Sequence, residues 1–150
     1  MALKTPNNCS VVLESKPAAV AGVCEQLLSK LKSCNFSRKD IFAVHLALEE
    51  AFINAVRHGN KMDPSKQIKI DYSISNDKIE ISVTDEGSGF KPNSVPDPRC
   101  GENIYKTDGR GLFLISSYMD VVDFNKAGNC IHMVRFVQKS KSADKTKRNG

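Results

Sequence analysis

The sequence predicts an α+β fold, a two-layer sandwich in which helices cover one face of a sheet. Three observations predict it. The elements read in the order β, α, α, ββ, loop, α, ββ; the strands fall mostly in hairpins; and the helices carry apolar stripes wide enough to lie on a sheet. A chain of 150 residues with 40% hydrophobic content suits one compact domain with a real core.

The first strand is "CSVVLES", residues 9–15, alternating and β-branched. Ser15 then reads as a helix cap and Pro17 as a first-turn proline, and Ala18, Ala19, Val23, Leu27, Leu28 and Leu31 keep helical spacing up to a break near residues 33–35. "SRKD", residues 37–40, is a capping-box variant, with Ser37 as cap and Asp40 in the acidic position. It opens a second helix expected to stop at Gly59. "QIKIDYSISNDKIEISVTDEGSGF" contains alternating runs over 67–74 and 78–84 about a turn at 75–77, an antiparallel hairpin. Residues 91–108 hold Pro92, Pro96, Pro98 and Gly101 with little periodicity, a loop of the length found in lids and linkers. "GRGLFLISSYMD", residues 109–120, is helical, and "VVDFNKAGNCIHMVRFV" closes as a hairpin turning at 127–129.

The formal net charge is +5, but residues 139–150 hold five bases and one acid and supply +4 of it. The expected organisation is a folded domain over 1–138 and a basic, solvated tail over 139–150. A nearly neutral body gives no electrostatic case for nucleic acid as partner. Cys9, Cys24, Cys34, Cys100 and Cys130 are odd in number and lack any CxxC pair, a spacing that argues against a zinc site and a disulfide framework. They read as small core residues. With neither a leader-like N-terminus nor an apolar run near ~18 residues, the expected address is a reducing cytoplasm, without a membrane.

The polar residues of the second helix carry the chemistry. At about 100° per residue, with Leu48 as zero, Ile41, Val44, Ala51, Phe52 and Ala55 form the core stripe, and Phe42, Leu46, Ile53 and Val56 an adjoining apolar sector. Glu49 falls in that sector and is expected to pair with a neighbour. The remaining wedge holds Ala47, Glu50, Asn54, Arg57 and His58. Glu50 and Asn54, four apart, are neighbours there. A carboxylate beside a carboxamide supplies oxygens to a hard cation or orients a hydroxyl; it is equally what the wet side of any helix looks like. In "TDEGSGF", residues 84–90, Asp85 at a strand end precedes Gly87 and Gly89, which let backbone approach a ligand, although such a turn also ends ordinary hairpins. "DGRGLFLI", residues 108–115, places Gly109, Arg110 and Gly111 at a helix entrance, an arrangement that suits an anion or simply tight packing. No GxxxxGK[ST] is present, which excludes a P-loop.

Taken together and in this order, these segments resemble the N-box, G1 box, ATP lid and G2 box of the Bergerat-fold ATPase superfamily, with a mostly antiparallel mixed sheet. "LALEEAFINAVRHGN" and "GRGLFLISSYMD" resemble most the anti-sigma-factor serine kinases of bacteria, and the similarity runs from about Cys9 to Val137. The resemblance implies Glu50 as general base and Asn54 as ligand of Mg2+. It implies Asp85 on the adenine amino group, close approach at Gly87 and Gly89, and phosphate contacts from Gly109, Arg110 and Gly111. It further implies ATP as substrate, an antagonist protein carrying the acceptor serine, a sigma factor as alternative partner, and a homodimer. Some members carry an arginine where this chain has Thr107, with Lys106 and Arg110 nearby, which leaves open the cation that meets the terminal phosphate. Two other readings share the pocket: a nucleotide-dependent binding module with little catalysis, and the ATPase part of a histidine kinase. The latter lacks room for a phosphoacceptor helix pair in the roughly 40 residues ahead of the second helix.

Overall fold

The computed structural model describes residues 7–87 and 109–137. The expected α+β sandwich is what forms. Strand β1 (Asn7–Glu14) leads through a single 3-10 turn at Pro17–Val20 into helix α1 (Ala21–Ser33). Helix α2 (Arg38–Asn54) continues into a wider π-type turn, Ala55–Gly59. Strands β2 (Gln67–Ile74) and β3 (Lys78–Thr84) follow, then α3 (Gly109–Tyr118), β4 (Val121–Phe124) and β5 (Cys130–Phe136). The residues 91–108 expected to form a loop, and the tail, lie outside the described residues.

The strands form one sheet in the order β1-β2-β3-β5-β4. Every described pairing is antiparallel, which corrects the expectation of a mixed sheet. The reason is topological. The connection through α3 brings β4 back in the direction of β3, but the β4–β5 hairpin folds β5 into the space between them, so the two co-directional strands never pair.

Alternation sets which face is buried. Opposed pairs Ile70 with Val83, Tyr72 with Ile81 and Ile74 with Ile79 point inward, and Ile131 and Met133 continue the row on β5. Leu27 and Leu31 of α1, Val44, Leu48 and Phe52 of α2 and Ile115 of α3 cover them and are fully buried. The opposite face carries Lys78, Glu80, Ser82 and His132, joined by Lys78–Glu80 and His132–Glu80 ion pairs and a Ser82–His132 hydrogen bond. Such a face is stable in water and needs no second layer.

Two local readings give way to long-range partners. Ser37 caps α2 as expected, accepting from the Asp40 amide at 3.0 Å. The Asp40 carboxylate, however, does not complete a capping box: it is buried and accepts from Arg135 Nε at 2.8 Å, while Arg135 also donates to the Tyr118 carbonyl. One guanidinium thus ties the start of α2 to β5 and the end of α3. Ser15 is not a cap either. It is buried and accepts from the Asn60 side-chain amide at 3.1 Å, and Lys16 precedes the 3-10 turn in its place.

Candidate functional site

The last turns of α2 hold the polar groups singled out above. Glu50 and Asn54 are half-buried on the sector that α3 covers, and Ala47, placed in the same wedge, is fully buried beneath that packing. The part of the wedge that holds Ala47, Glu50 and Asn54 is therefore not a wet side. Its cover is set by Gly111: a Cβ there would stand 2.8 Å from Glu50 Oε1, 3.4 Å from Asn54 Nδ2 and 3.5 Å from Asn54 Oδ1. Only a glycine lets the first turn of α3 rest directly on this carboxylate and carboxamide. Gly109 and Arg110 open the same turn. Arg57 and His58, the other members of the wedge, are exposed.

A second cluster forms where α2 ends. The π-type turn closes with the Asn60 amide donating to the Ala55 carbonyl, and it brings Gly59 against the turn after β3. A Cβ on Gly59 would fall 2.1 Å from an Asp85 carboxylate oxygen, and one on Gly87 would fall 1.9 Å from the Gly59 carbonyl oxygen. Asp85 accepts from the Gly87 amide at 2.8 Å and is anchored to the β4–β5 turn in both directions: its amide donates to the Asn129 carbonyl, and its carbonyl accepts from the Asn129 side chain. Buried Asn60 locks the arrangement, donating to Ser15 Oγ and the Gln67 carbonyl and accepting from the Glu86 amide at 2.8 Å. Gly59 and Asn60 escaped the sequence reading, which treated Gly59 only as a helix stop. The signal was present in "HGN" but is interpretable only once the partner turn is known.

The two clusters share one helix. Asn54 and Gly59 are five residues apart, a little over one turn along the axis. At one end lie two oxygen-bearing side chains under a glycine-led helix start; at the other, an aspartate held beside two glycines. Gly89 lies outside the described residues.

The electrostatics differ between the ends. Burial pushes the Asp85 carboxyl above its ordinary value of 3.8, against the lowering effects of the Gly87 amide and the Lys66 charge. A donor supplied by a ligand would compensate this carboxylate. At the other end, the carboxamide oxygen of Asn54 is a hard donor of the type that suits a magnesium ion bound mainly through substrate phosphates. The first turn of α3 comes directly against Asn54, so a hard oxygen donor stands beside a glycine-led helix start that suits phosphate, and the residues present fit such an ion.

Comparisons with known proteins bear on the family and the fold. The profile of the histidine kinase-like ATPase domain matches residues 13–135. A serine-protein kinase RsbW of Bacillus licheniformis is 29% identical over 143 residues, covering 88% of this chain and 87% of that one. A serine-protein kinase RsbW of Oceanobacillus iheyensis is 32% identical over 131 residues, 82% of each chain. Among solved structures, the crystal structure of RsbU and RsbW domains from a Mycobacterium tuberculosis protein superposes with a TM-score of 0.59 at 17% identity, over 87% of this chain and 32% of that longer one, a likeness of fold.

Proposed function

The chain belongs to the histidine kinase-like ATPase domain family, and from that premise we propose that it is an ATP-dependent protein-serine kinase of the anti-sigma-factor type. Its relatives over most of its length are serine-protein kinases. The observation that carries the reading is the meeting of Glu50 and Asn54 with Gly111, a carboxylate and a carboxamide placed directly under a glycine-led helix start.

In this reading Asp85 accepts from the exocyclic amine of adenine, and Gly87 and Gly89 leave room for the base. The amides of Gly109 and Gly111 and the charge of Arg110 bind the phosphates at the start of α3. Asn54 would hold Mg2+, which when bound would neutralise charge on the transferring group. Glu50 orients the acceptor serine hydroxyl and takes its proton as the serine oxygen bonds to the γ-phosphorus and the bridging oxygen leaves with ADP. The remaining work is positioning, supplied by the packing of α3 on α2.

The acceptor is a serine on an antagonist protein, and the phosphate added there places charge in the interface and ends its competition for the kinase, which is then available to a sigma factor. The protein acts in the cytoplasm as a homodimer, and its effect is on transcription through that exchange rather than through contact with nucleic acid. No helix among the described residues is long and apolar enough to cross a membrane.

The test is transfer itself. The protein, magnesium and ATP labelled at the γ-phosphate are incubated with candidate antagonists from its genome. Transfer to serine of one candidate is expected, abolished in Glu50→Gln with ATP affinity retained. Absence of transfer to every candidate with nucleotide binding intact would reduce the protein to a binding module, and equal transfer by Glu50→Gln would remove Glu50 from the chemistry.

A further inference from the structure

On the opposite side of α2 from Glu50 and Asn54, a second set of chemically capable side chains converges. Cys24 comes from α1, and His45 and Glu49 from α2. One ligand atom from each, the Cys24 sulfur, a ring nitrogen of His45 and a carboxylate oxygen of Glu49, lie within 4.8 Å of one another. His45 Nε2 and Glu49 Oε2 are 3.1 Å apart. We propose that Cys24, His45 and Glu49 form a transition-metal site, suited to zinc(II), that bridges α1 and α2.

The spacing and the donor set support it. Ligands held ~2.0–2.3 Å from a tetrahedral ion stand roughly 3.3–3.8 Å from each other, so the observed triangle needs only small side-chain adjustments to close on an ion. His45 and Glu49 are four apart on one helix, the spacing that turns two side chains toward a common point. A histidine–carboxylate pair at this spacing is ordinary on helix surfaces and needs no metal. What sets this one apart is the thiol of Cys24, 5% exposed, completing the triangle from another helix. Sulfur, imidazole and carboxylate together select zinc over magnesium or calcium, which take oxygen alone. The His45 and Glu49 side chains are 39% and 49% exposed, so the site faces water on one side and keeps room for a solvent molecule as fourth ligand.

The sequence spacing that argues against zinc concerns ligand pairs close in the chain, whereas 20 residues lie between Cys24 and His45 and helix packing joins them. An ion at this position would couple α1 to the helix that carries Glu50 and Asn54.

The test uses the full-length, metal-stripped protein titrated with cobalt(II) and then zinc(II). One equivalent of cobalt should give a thiolate-to-metal charge-transfer band, which zinc displaces, and zinc alone should raise the melting temperature. The nucleotide site, with oxygen donors only, contributes no such band. Cys24→Ala should abolish the band, and His45→Ala and Glu49→Gln, at partly exposed positions where folding is preserved, should each weaken cobalt affinity at least tenfold. The proposal is overturned if no band forms, if the band survives Cys24→Ala because another cysteine carries it, or if His45→Ala binds as tightly as the unchanged protein.

Discussion

Adding one methyl group at Gly111 separates the packing of α3 from its service to Glu50. In Gly111→Ala the new Cβ would lie 2.8 Å from Glu50 Oε1, about 0.6 Å inside ordinary contact, and 3.4 Å from Asn54 Nδ2, at its edge. The atom that must yield is the far end of a flexible side chain, so the clash is relieved by turning the carboxylate rather than by moving backbone. Replacing glycine within a helix gains up to ~1 kcal/mol of intrinsic stability, which offsets the adjustment, and the melting temperature should stay level or rise slightly. Transfer should not survive so well. A displacement near 1 Å of a positioned group costs on the order of 10²-fold in rate, so a shift of this size should lower kcat by about 10- to 100-fold. ATP affinity should hold within ~3-fold, because the change falls at the reacting end. Single-turnover transfer from labelled ATP, calorimetric ATP binding and a thermal melt measure the three quantities. Transfer by Gly111→Ala within twofold of the unchanged protein would refute the placement of Glu50 at the reacting centre.

Other substitutions probe the remaining parts. In Gly87→Ala the Cβ meets the Gly59 carbonyl oxygen at 1.9 Å, a backbone atom that cannot turn aside, so both ATP affinity and stability should fall, the latter by about 1–3 kcal/mol in denaturant titrations. Because burial raises the Asp85 carboxyl above 3.8, the folded protein holds that proton more tightly than the unfolded chain. Its ionisation therefore weakens folding as pH rises through the raised value, and the penalty is absent below 3.8. Asp85→Asn, whose side-chain oxygen still accepts from Gly87, should raise the ligand-free melting temperature at pH 7, leave it unchanged near pH 3, and weaken ATP binding at least tenfold. Arg135→Ala leaves the Asp40 carboxylate, 1% exposed, without its cation and should remove about 3–5 kcal/mol, a fall on the order of 10 °C in melting temperature, with kcat per folded molecule unchanged.

Features decided by neighbouring residues were readable in the chain. The alternation of β2 and β3, their turn at 75–77 and the Ser37 cap involve partners a few residues away, and they formed as expected. Ser15 and Asp40 have equally plausible local roles but are claimed by Asn60 and Arg135, 45 and 95 residues distant, which no local pattern encodes. The polar wedge of α2 was visible as composition, but whether water or another helix faced it depended on Gly111, whose meaning is the atom it lacks. Gly59 shows the same limit: a glycine ending a helix has an adequate local explanation, and its contact with Asp85 is invisible until β3 is laid beside it.

Asn60 has a mechanical consequence. Its carboxamide is bonded to the residue after β1, the first residue of β2 and the turn that follows β3, so the end of α2 is pinned to three points of the sheet frame. The opposite end of that helix is held separately, through Asp40 and Arg135. A helix fastened at both tips is restrained from sliding along its own axis, so the height at which Glu50 and Asn54 stand relative to Asp85 and Gly87 is set by the sheet frame rather than by the helix alone.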